Sequence, residues 1–242
     1  MKLRDKTVLV TGASRGLGEA LARGAAAKGA RVVLVAREQA ALDQVVAGIR
    51  VLGGIAHALP ADVSDKHATH AIAGAAAALV GPIDVVIHNA SFLGPTPLKL
   101  LLDTACEELE QVLAVNLVGP FRLSKALAGP MVLRGSGVIV HVSSDAAVSA
   151  YPRWGAYGVS KAAFDHLARS FAAELDGSGV RVFAVDPGEM DTRMHADAMP
   201  DADPATLARP IDVAYQILRA IEHDTLAPPG ARVEAAALAR AS

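Results

Sequence analysis

The sequence predicts a doubly wound α/β fold, in which a parallel sheet carries helices on both faces. Short β-branched runs alternate with helix-like segments from the first residues onward, and some of these runs are continuously apolar. Such an alternation is typical of parallel sheets covered on both faces. At 242 residues the chain suits one large domain, which we place at 1–242 with 195–242 as its least regular part.

The first half of the chain contains four predicted strands. They cover residues 6–10, 31–35, 55–59 and 84–88. Helical spacing between them predicts helices over 17–28, 38–52 and 64–80. Gly29 and the pair Gly53-Gly54 follow the first two helices, where glycine commonly ends a helix.

The second half repeats this order. A long helix is predicted over 102–128, a strand over 137–142, a helix over 154–175 and a strand over 180–185. Residues 200–210 and 227–230 have the composition of loops. The last residues predict a short strand over 231–235 and then a frayed end.

Composition narrows the class of protein. The chain is 52% hydrophobic and 20% charged, which is typical of globular proteins, and its net charge of −2 argues against a nucleic-acid-binding surface. The N-terminus lacks the apolar core and cleavage site of a secretory signal, and no apolar run is long enough to span a bilayer. We therefore expect a cytoplasmic protein without a membrane partner. The single cysteine, Cys106, cannot form an internal disulfide or a cysteine metal cluster.

A glycine-rich turn links the first strand to the first helix. It reads Thr11-Gly12-Ala13-Ser14-Arg15-Gly16-Leu17-Gly18. At the carboxyl end of a strand, such a turn lets backbone N–H groups approach a pyrophosphate at the helix N-terminus. Glycine is also common in ordinary turns, so the placement between strand and helix is what favours a Rossmann-type dinucleotide site.

The end of the second strand predicts which dinucleotide binds. NAD sites commonly have a carboxylate there for the ribose 2′-hydroxyl, whereas this strand ends Val35-Ala36-Arg37. Arg37 and Arg15 could hold a 2′-phosphate between them, because guanidinium groups offer paired donors in a plane. The alternative is that both arginines are solvated surface charges. We favour NADP(H) over NAD(H).

Tyr157 and Lys161 lie four residues apart on a predicted helix, so both face the same side. An ammonium near a phenol favours the phenolate and lowers the tyrosine pKa toward a working range. The phenol could then exchange a proton with an alcohol or carbonyl oxygen. Ser144, thirteen residues earlier at a strand end, could donate to the same oxygen, and the neighbouring Ser143 has the less favourable spacing.

Further short motifs accompany these features. They are Asp62-Val63, Asn89-Ala90, Asn116, and Pro187-Gly188 with Thr192. Together with the glycine loop, Ser144 and the Tyr157–Lys161 pair, in this order and at this spacing, they resemble the single-domain short-chain dehydrogenases/reductases. The resemblance covers residues from about 6 to about 194.

The resemblance implies a role at each matching position. Tyr157 would be the proton donor or acceptor, Lys161 would lower its pKa and bind the nicotinamide ribose, and Ser144 would polarise the substrate oxygen. Asn116 would hold a water in a proton relay to Lys161. The implied cofactor contacts are Gly12, Ser14, Arg15, Gly16, Leu17, Gly18, Arg37, Asp62 and Val63 at the adenine side, Asn89 and Ala90 at the ribose, and Tyr157, Lys161, Pro187, Gly188 and Thr192 at the nicotinamide.

The chain departs from the family pattern in two places. The family commonly has Asn-Asn-Ala-Gly after the fourth strand, and this chain has His88-Asn89-Ala90-Ser91. The family's C-terminal Gly-Gly strand end is also missing, which argues for a homodimer, formed through the helices predicted at 102–128 and 154–175, over a tetramer. His88 and His141 are interpreted as packed histidines, since no carboxylate or cysteine partner has metal-ligand spacing.

The segment before the catalytic helix, Tyr151-Pro152-Arg153-Trp154, lies where the family lines its substrate pocket. Trp154 could stack on an apolar substrate or only anchor the helix start, and Arg153 could meet an acidic substrate. The sequence thus predicts an NADPH-dependent carbonyl reductase acting on a ketone or aldehyde. The alternatives are an NAD(P)-dependent secondary-alcohol dehydrogenase and a dinucleotide-binding sensor without turnover, which the presence of all four residues Asn116, Ser144, Tyr157 and Lys161 disfavours.

Overall fold

The computed structural model describes residues 1–240 and contains a seven-stranded parallel sheet. The strands are β1 (Thr7–Thr11), β2 (Arg31–Ala36), β3 (Ile55–Pro60), β4 (Val85–His88), β5 (Gly137–Val142), β6 (Val180–Asp186) and β7 (Arg232–Glu234). Their spatial order is β3-β2-β1-β4-β5-β6-β7, so the direction of winding reverses between β1 and β4. The predicted fold class is confirmed. Ligands of such sheets bind at this reversal, beyond the carboxyl ends of the strands.

Nine α-helices connect the strands within residues 1–240. They are α1 (Gly16–Ala27), α2 (Gln39–Val51), α3 (Ala68–Val80), α4 (Cys106–Leu113), α5 (Gly119–Arg134), α6 (Gly155–Glu174), α7 (Arg193–Ala198), α8 (Pro210–Glu222) and α9 (Ala235–Arg240). Successive side chains of the strands point to opposite faces of the sheet and so divide the core into two layers. Val8 and Val10 of β1 pack towards α1, α2 and α8, whereas Leu9 packs towards α3, α5 and α6.

The helix predicted over 102–128 is wrong in its bounds and its continuity. The chain forms a short 3₁₀ turn at Leu101–Asp103, then α4, a π-helical turn at Ala114–Val118, and α5. A π-helical turn inserts one residue into the helical repeat and is common at functional sites. Asn116 lies in this turn and is buried, so the interruption sets the direction of a candidate site residue.

The C-terminal region is more regular than the sequence suggested. The short strand near 231–235 is confirmed as β7, but the expected frayed end is wrong, since residues 235–240 form α9. We also did not predict α8, which begins at Pro210 and buries Val213, Ile217 and Ile221 along one stripe. Proline in a first helical turn followed by apolar residues four apart was the sequence signal that could have revealed it.

Over residues 1–240, no helix has both the length and the apolar character needed to cross a membrane.

Candidate active site at the carboxyl edge of the sheet

The glycine loop between β1 and α1 is folded so tightly that two positions require glycine. Gly12 has φ of +66° and packs against the backbone of Ala90, where a Cβ would lie 2.8 Å from the Ala90 Cα. A Cβ on Gly18 would overlap the carbonyl oxygen of Gly12. Glycine tolerates both the positive φ and the close approach. The loop therefore leaves the N-terminus of α1 open towards the edge of the sheet.

The loop is held from the neighbouring strand β4. The Asn89 side-chain amide donates to the carbonyl oxygens of Thr11, at 3.1 Å, and Gly12, at 3.2 Å. The backbone N–H groups of Asn89 and Ala90 both donate to the Thr11 hydroxyl at 3.1 Å. Sequence reasoning gave Asn89 only a contact to the cofactor ribose. Its position in the structure also fixes the shape of the phosphate loop.

Arg15 and Arg37 lie exposed at this edge, at the start of α1 and just after β2. Neither side chain forms a hydrogen bond or ion pair with any of residues 1–240, so both guanidinium groups are available to a ligand. Asp62 follows β3, and its Oδ1 accepts hydrogen bonds from the backbone N–H and the hydroxyl of Ser64. The tight loop, the open helix N-terminus and the two cations together fit the phosphates of a dinucleotide.

Tyr157 and Lys161 lie on the buried face of α6, and their side chains meet under the ends of β4 and β5. Tyr157 is 7% exposed and Lys161 2%. The Lys161 Nζ donates to the Val142 carbonyl oxygen at 2.7 Å and lies 5.5 Å from the centre of the Tyr157 ring. This carbonyl bond orients the ammonium towards the phenol.

Burial raises the pKa of Tyr157 to about 12, since the phenolate would lose its hydration. The hydroxyls of Ser91 and Ser144 lower this pKa, and the carboxylates of Asp145 and Asp186 raise it. We expected the nearby ammonium to bring the phenol towards a working pKa. The direction in the free protein is the opposite, because desolvation outweighs the hydrogen bonds from the Ser91 and Ser144 hydroxyls, and the phenol keeps its proton at neutral pH.

Burial also lowers the pKa of Lys161 to about 8, because an ammonium is poorly solvated here. The carboxylates of Asp165 and Asp186 act in the opposite direction and favour the charged form. The charge on this lysine therefore depends on two acidic side chains, neither of which was singled out from the sequence.

Ser144 begins the short 3₁₀ turn Asp145–Ala147 that follows β5. Its hydroxyl donates to the Asp145 carboxylate at 2.9 Å and accepts from the Ala146 N–H at 3.2 Å. The Tyr151 hydroxyl donates to the other oxygen of Asp145 at 2.9 Å. Asp145 thus organises the rim around the candidate serine, and sequence reasoning missed it because nothing in its local pattern distinguishes it from a turn residue.

Asn116 bridges the π-helical turn, α6 and the segment after β4. Its side chain accepts from the Phe92 N–H at 2.7 Å and donates to the Phe92 carbonyl oxygen and the Ser160 hydroxyl, each at 2.9 Å. The hydroxyl of Ser91 also reaches Asn116 Oδ1, at 3.3 Å. Where the family commonly has glycine, Ser91 therefore adds a hydroxyl between Asn116 and the phenol.

The segment after β6 closes the site from the other side. The Gly188 N–H donates to Asp186 Oδ1 at 2.9 Å, with Pro187 between them, and the Thr192 hydroxyl accepts from the His195 N–H at the start of α7. A Cβ on Gly16 would lie 3.4 Å from the Thr192 methyl group. The structure therefore brings this segment against the phosphate loop, as a shared ligand would require.

Trp154 lies against the candidate tyrosine, with ring centres 5.8 Å apart in an edge-to-face arrangement. Leu93, Ala146 and Tyr157 form a small apolar cluster, which Trp154 borders. The wall beside the phenol is thus apolar, whereas the rim carries the Asp145 carboxylate. Within residues 1–240, no three His, Cys, Asp or Glu side chains are grouped so that they could hold a metal ion.

The short chain dehydrogenase family model matches residues 6–203 of the chain, which is most of its length. The chain belongs to the short-chain dehydrogenase/reductase family. Members of this family are NAD(P)-dependent oxidoreductases that act on alcohol and carbonyl groups. The match ends before α8, β7 and α9.

Two curated proteins are similar in sequence to this short-chain dehydrogenase/reductase. It is 40% identical over 195 residues to a galactitol 2-dehydrogenase (L-tagatose-forming) of Cereibacter sphaeroides, covering 80% of this chain and 74% of the relative. It is 37% identical over 200 residues to a short chain dehydrogenase of Pseudocercospora fijiensis, covering 81% of this chain but only 63% of the relative.

Two solved structures share the fold and differ in the bound dinucleotide. A short chain dehydrogenase from Shigella flexneri complexed with NADP has a TM-score of 0.90 and 28% identity, covering 97% of this chain and 98% of its own. An NAD⁺-bound xylitol dehydrogenase has a TM-score of 0.86 and 25% identity, covering 97% of this chain and 98% of its own. The fold therefore accommodates either dinucleotide.

Proposed function

We propose that this short-chain dehydrogenase/reductase is an NADPH-dependent carbonyl reductase that converts a ketone or aldehyde into an alcohol. The observation that carries the proposal is the buried, protonated phenol of Tyr157 beside Ser144 and Lys161. A carbonyl group that is being reduced needs a proton donor at its oxygen. A phenol whose pKa is raised to about 12 is protonated at neutral pH.

Each member of the site has a role in this reaction. The Ser144 hydroxyl, which donates to the Asp145 carboxylate in the free protein, would turn to donate to the substrate oxygen and orient it. Tyr157 then delivers its proton to that oxygen as negative charge develops. Lys161, held by the Val142 carbonyl oxygen, stabilises the phenolate that remains. Asn116 fixes α6 relative to the segment after β4. The family resemblance adds a role for Asn116 in holding a water that relays a proton to Lys161. The bound dinucleotide supplies the hydride.

Burial around the phenol supports transfer without loss to solvent. Trp154, Leu93 and Ala146 cover the ring and exclude water from the reacting oxygen. This apolar wall suits a substrate whose carbonyl carries a hydrocarbon substituent. A cytoplasmic location, where NADP is kept reduced, is part of the same proposal.

A secondary-alcohol dehydrogenase that works in the oxidising direction is the second candidate. It is favoured by the similarity to a galactitol 2-dehydrogenase and to an NAD⁺-bound xylitol dehydrogenase. Asp145 and Tyr151 at the rim would suit the hydroxyl groups of such a substrate. The cofactor that binds more tightly separates the two candidates, since cells generally keep NADP reduced and NAD oxidised.

We expect calorimetric titration to give at least tenfold tighter binding of NADPH than of NADH, about 1.4 kcal/mol. Arg15 and Arg37 are exposed and have no partner among residues 1–240, so they can meet the 2′-phosphate that NADPH carries and NADH lacks. Arg37→Asp should remove this preference, because it replaces a cation with a carboxylate that suits a 2′-hydroxyl.

Arg4→Asp is the matched control. Arg4 is exposed and precedes β1, so it lies at the amino ends of the strands and away from the glycine loop. An Arg37→Asp variant with unchanged NADPH affinity would show that the arginine does not bind the phosphate. Tighter binding of NADH by the unmodified protein would overturn the NADPH assignment and favour alcohol oxidation. A ketone and aldehyde screen with NADPH consumption as readout then tests the activity itself, and no consumption would contradict it.

We also propose that the protein forms a homodimer through α5 and α6. Phe121 of α5 is 41% exposed beside Phe171 of α6, and Leu133 of α5 and Val159 of α6 are 90% and 54% exposed. Sedimentation should give the mass of two chains, and Phe121→Glu should reduce it to one, because a carboxylate would be buried in the interface. Leu52→Glu is the control, since Leu52 directly follows α2 and is 84% exposed. A single-chain mass for the unmodified protein would rule out the dimer.

A further inference from the structure

We propose that Arg232, on the C-terminal strand β7, is a positioning residue that holds Ser144 and Lys161 in their working arrangement. The inference rests on the proposed function of those two residues. It extends the site to a strand that lies outside residues 6–203, the part that matches the family model. Arg232 has two roles in this proposal, of which one is geometric and the other electrostatic.

The geometric part is that one guanidinium group joins three segments. The Arg232 Nη2 donates to the backbone carbonyl oxygen of Ser144 at 2.9 Å and to Asp186 Oδ2 at 2.8 Å. Its Nε donates to Asp165 Oδ2 at 2.9 Å. Guanidinium is suited to this arrangement because its donors point in fixed directions within a plane. Arg232 thus fixes the backbone of the candidate serine relative to α6 and the end of β6.

Asp186 and Asp165, which Arg232 binds, in turn fix the positions of segments that face the cofactor site. Asp186 also accepts from the Gly188 N–H, so its position sets the start of the segment that leads to Thr192. Asp165 lies four residues after Lys161 on α6, and thus on the same helix face. A shift of either carboxylate would therefore move a neighbour of the reacting groups.

The electrostatic part concerns the charge on Lys161. Both carboxylates are buried, with side chains 4% and 9% exposed for Asp165 and Asp186, and both favour the ammonium form of Lys161. The other charged or titratable groups that face it are Tyr157 on α6 and His141 on β5. Arg232 supplies the second cation that balances the two carboxylates. Without Arg232, the two carboxylates would attract the Lys161 ammonium more strongly. The pKa of Lys161 would therefore rise, because negative charges nearby favour the ammonium form.

A purely structural reading predicts a different outcome. β7 pairs with β6 through Arg232 to Glu234, and the guanidinium could serve only to attach this short strand. Its loss would then lower stability without changing the ionisation of Lys161. A test must therefore measure that ionisation directly, and it must not depend on having found a substrate.

The test is an NMR titration of protein labelled with ¹³C at lysine Cε, with the Lys161 signal assigned by its loss in Lys161→Met. In the unmodified protein the pKa of Lys161 should lie at about 8. In Arg232→Gln it should rise by at least about half a unit, since a neighbouring charge shifts pKa values by this order. Arg232→Lys keeps the positive charge and should leave the titration near that of the unmodified protein.

Activity supplies the geometric readout once a carbonyl substrate is found. Arg232→Gln and Arg232→Lys should each lower kcat about tenfold or more with a smaller change in KM, because neither replacement can make the three bonds that place Ser144. Arg209→Gln is the control, since Arg209 is exposed and, within residues 1–240, its side chain pairs with Asp212 alone. Thermal unfolding and NADPH binding of each variant establish that it is folded.

The outcomes separate this inference from the proposed function. An unshifted Lys161 titration in folded Arg232→Gln would overturn the electrostatic role, and an unchanged kcat in Arg232→Lys would overturn the geometric role. If Arg232→Gln does not fold, the Arg232→Lys variant decides the electrostatic role. A Lys161 pKa that differs from that of the unmodified protein would overturn this role, and an equal pKa would support it. Absence of any carbonyl reduction by the unmodified protein contradicts the proposed function but leaves the titration result standing.

Discussion

Tyr157→Phe is expected to lower turnover by at least about 10³-fold while leaving NADPH binding within a few-fold of the unmodified protein. A positioned acid contributes a factor of this order, and phenylalanine keeps the ring but has no proton to give. The ring is buried against Trp154 and Ala146, so the substitution preserves the packing around it. Steady-state NADPH consumption measures the first effect and calorimetry the second.

Tyr215→Phe is the matched control for this experiment. Tyr215 lies on α8 and is 55% exposed, with the Lys28 Nζ 5.8 Å from its ring centre, on the helical layer opposite to α6. Tyr215→Phe also removes a phenolic hydroxyl, but one that lies away from the site, so turnover should not change. Turnover retained by Tyr157→Phe would exclude the phenol as proton donor. Turnover and binding lost together would instead place the effect in the shape of the cofactor site.

The folded protein is expected to lose several kcal/mol of stability between pH 7.5 and pH 5 because of two buried histidines. His88 and His141 pair across β4 and β5, with ring centres 5.4 Å apart. His88 bonds the Ser124 hydroxyl at 2.7 Å, and His141 Nδ1 bonds the Phe164 carbonyl oxygen at 3.2 Å. The other nitrogen of each ring has no hydrogen-bond partner within residues 1–240.

The direction of this effect follows from the histidine pKa values. Burial lowers the pKa of His141 to about 4, and burial together with the neighbouring imidazole lowers the pKa of His88 well below 6.5. Below pH 6.5 the unfolded chain takes up protons that the folded protein cannot, so the free energy of unfolding falls as the pH falls. At pH 5 each histidine that stays neutral costs about 2 kcal/mol.

Urea unfolding at pH 7.5 and pH 5 measures this difference. The range lies above the ordinary pKa of carboxylates, so the buried acidic groups contribute little to it. A His141→Leu variant should lose about half of the pH dependence, whatever its absolute stability, because one proton-binding group is gone. His67→Leu, at an exposed position, should keep all of it. A His141→Leu protein with undiminished pH dependence would contradict the assignment.

The local patterns of the sequence were sufficient for the fold class and for part of the site. Strand and helix periodicity predicted the sheet because each depends on residues two to four positions apart, and all seven strands of residues 1–240 were located to within about two residues. The glycine loop was recognisable for the same reason, since its tight turn and its helix start lie within eight residues. Tyr157 and Lys161 were found because a helical turn relates them directly.

The break in the helix at 102–128 could not be read from the sequence. The π-helical turn at Ala114–Val118 arises from packing of Asn116 against Phe92 and Ser160, residues 24 and 44 positions away. Here tertiary contact, not local propensity, decided the local structure.

The sequence by itself determined the order of the elements, the phosphate loop and the identity of the phenol and ammonium pair. Only the tertiary structure decided that the phenol is protonated, that Asp145 and Ser91 adjoin the reacting groups, and that Arg232 reaches Ser144 across 88 positions of the chain. The physical reason is the range of the interactions. Periodicity and turn chemistry act between near neighbours, whereas desolvation and ion pairing depend on which distant segments the folded chain brings together.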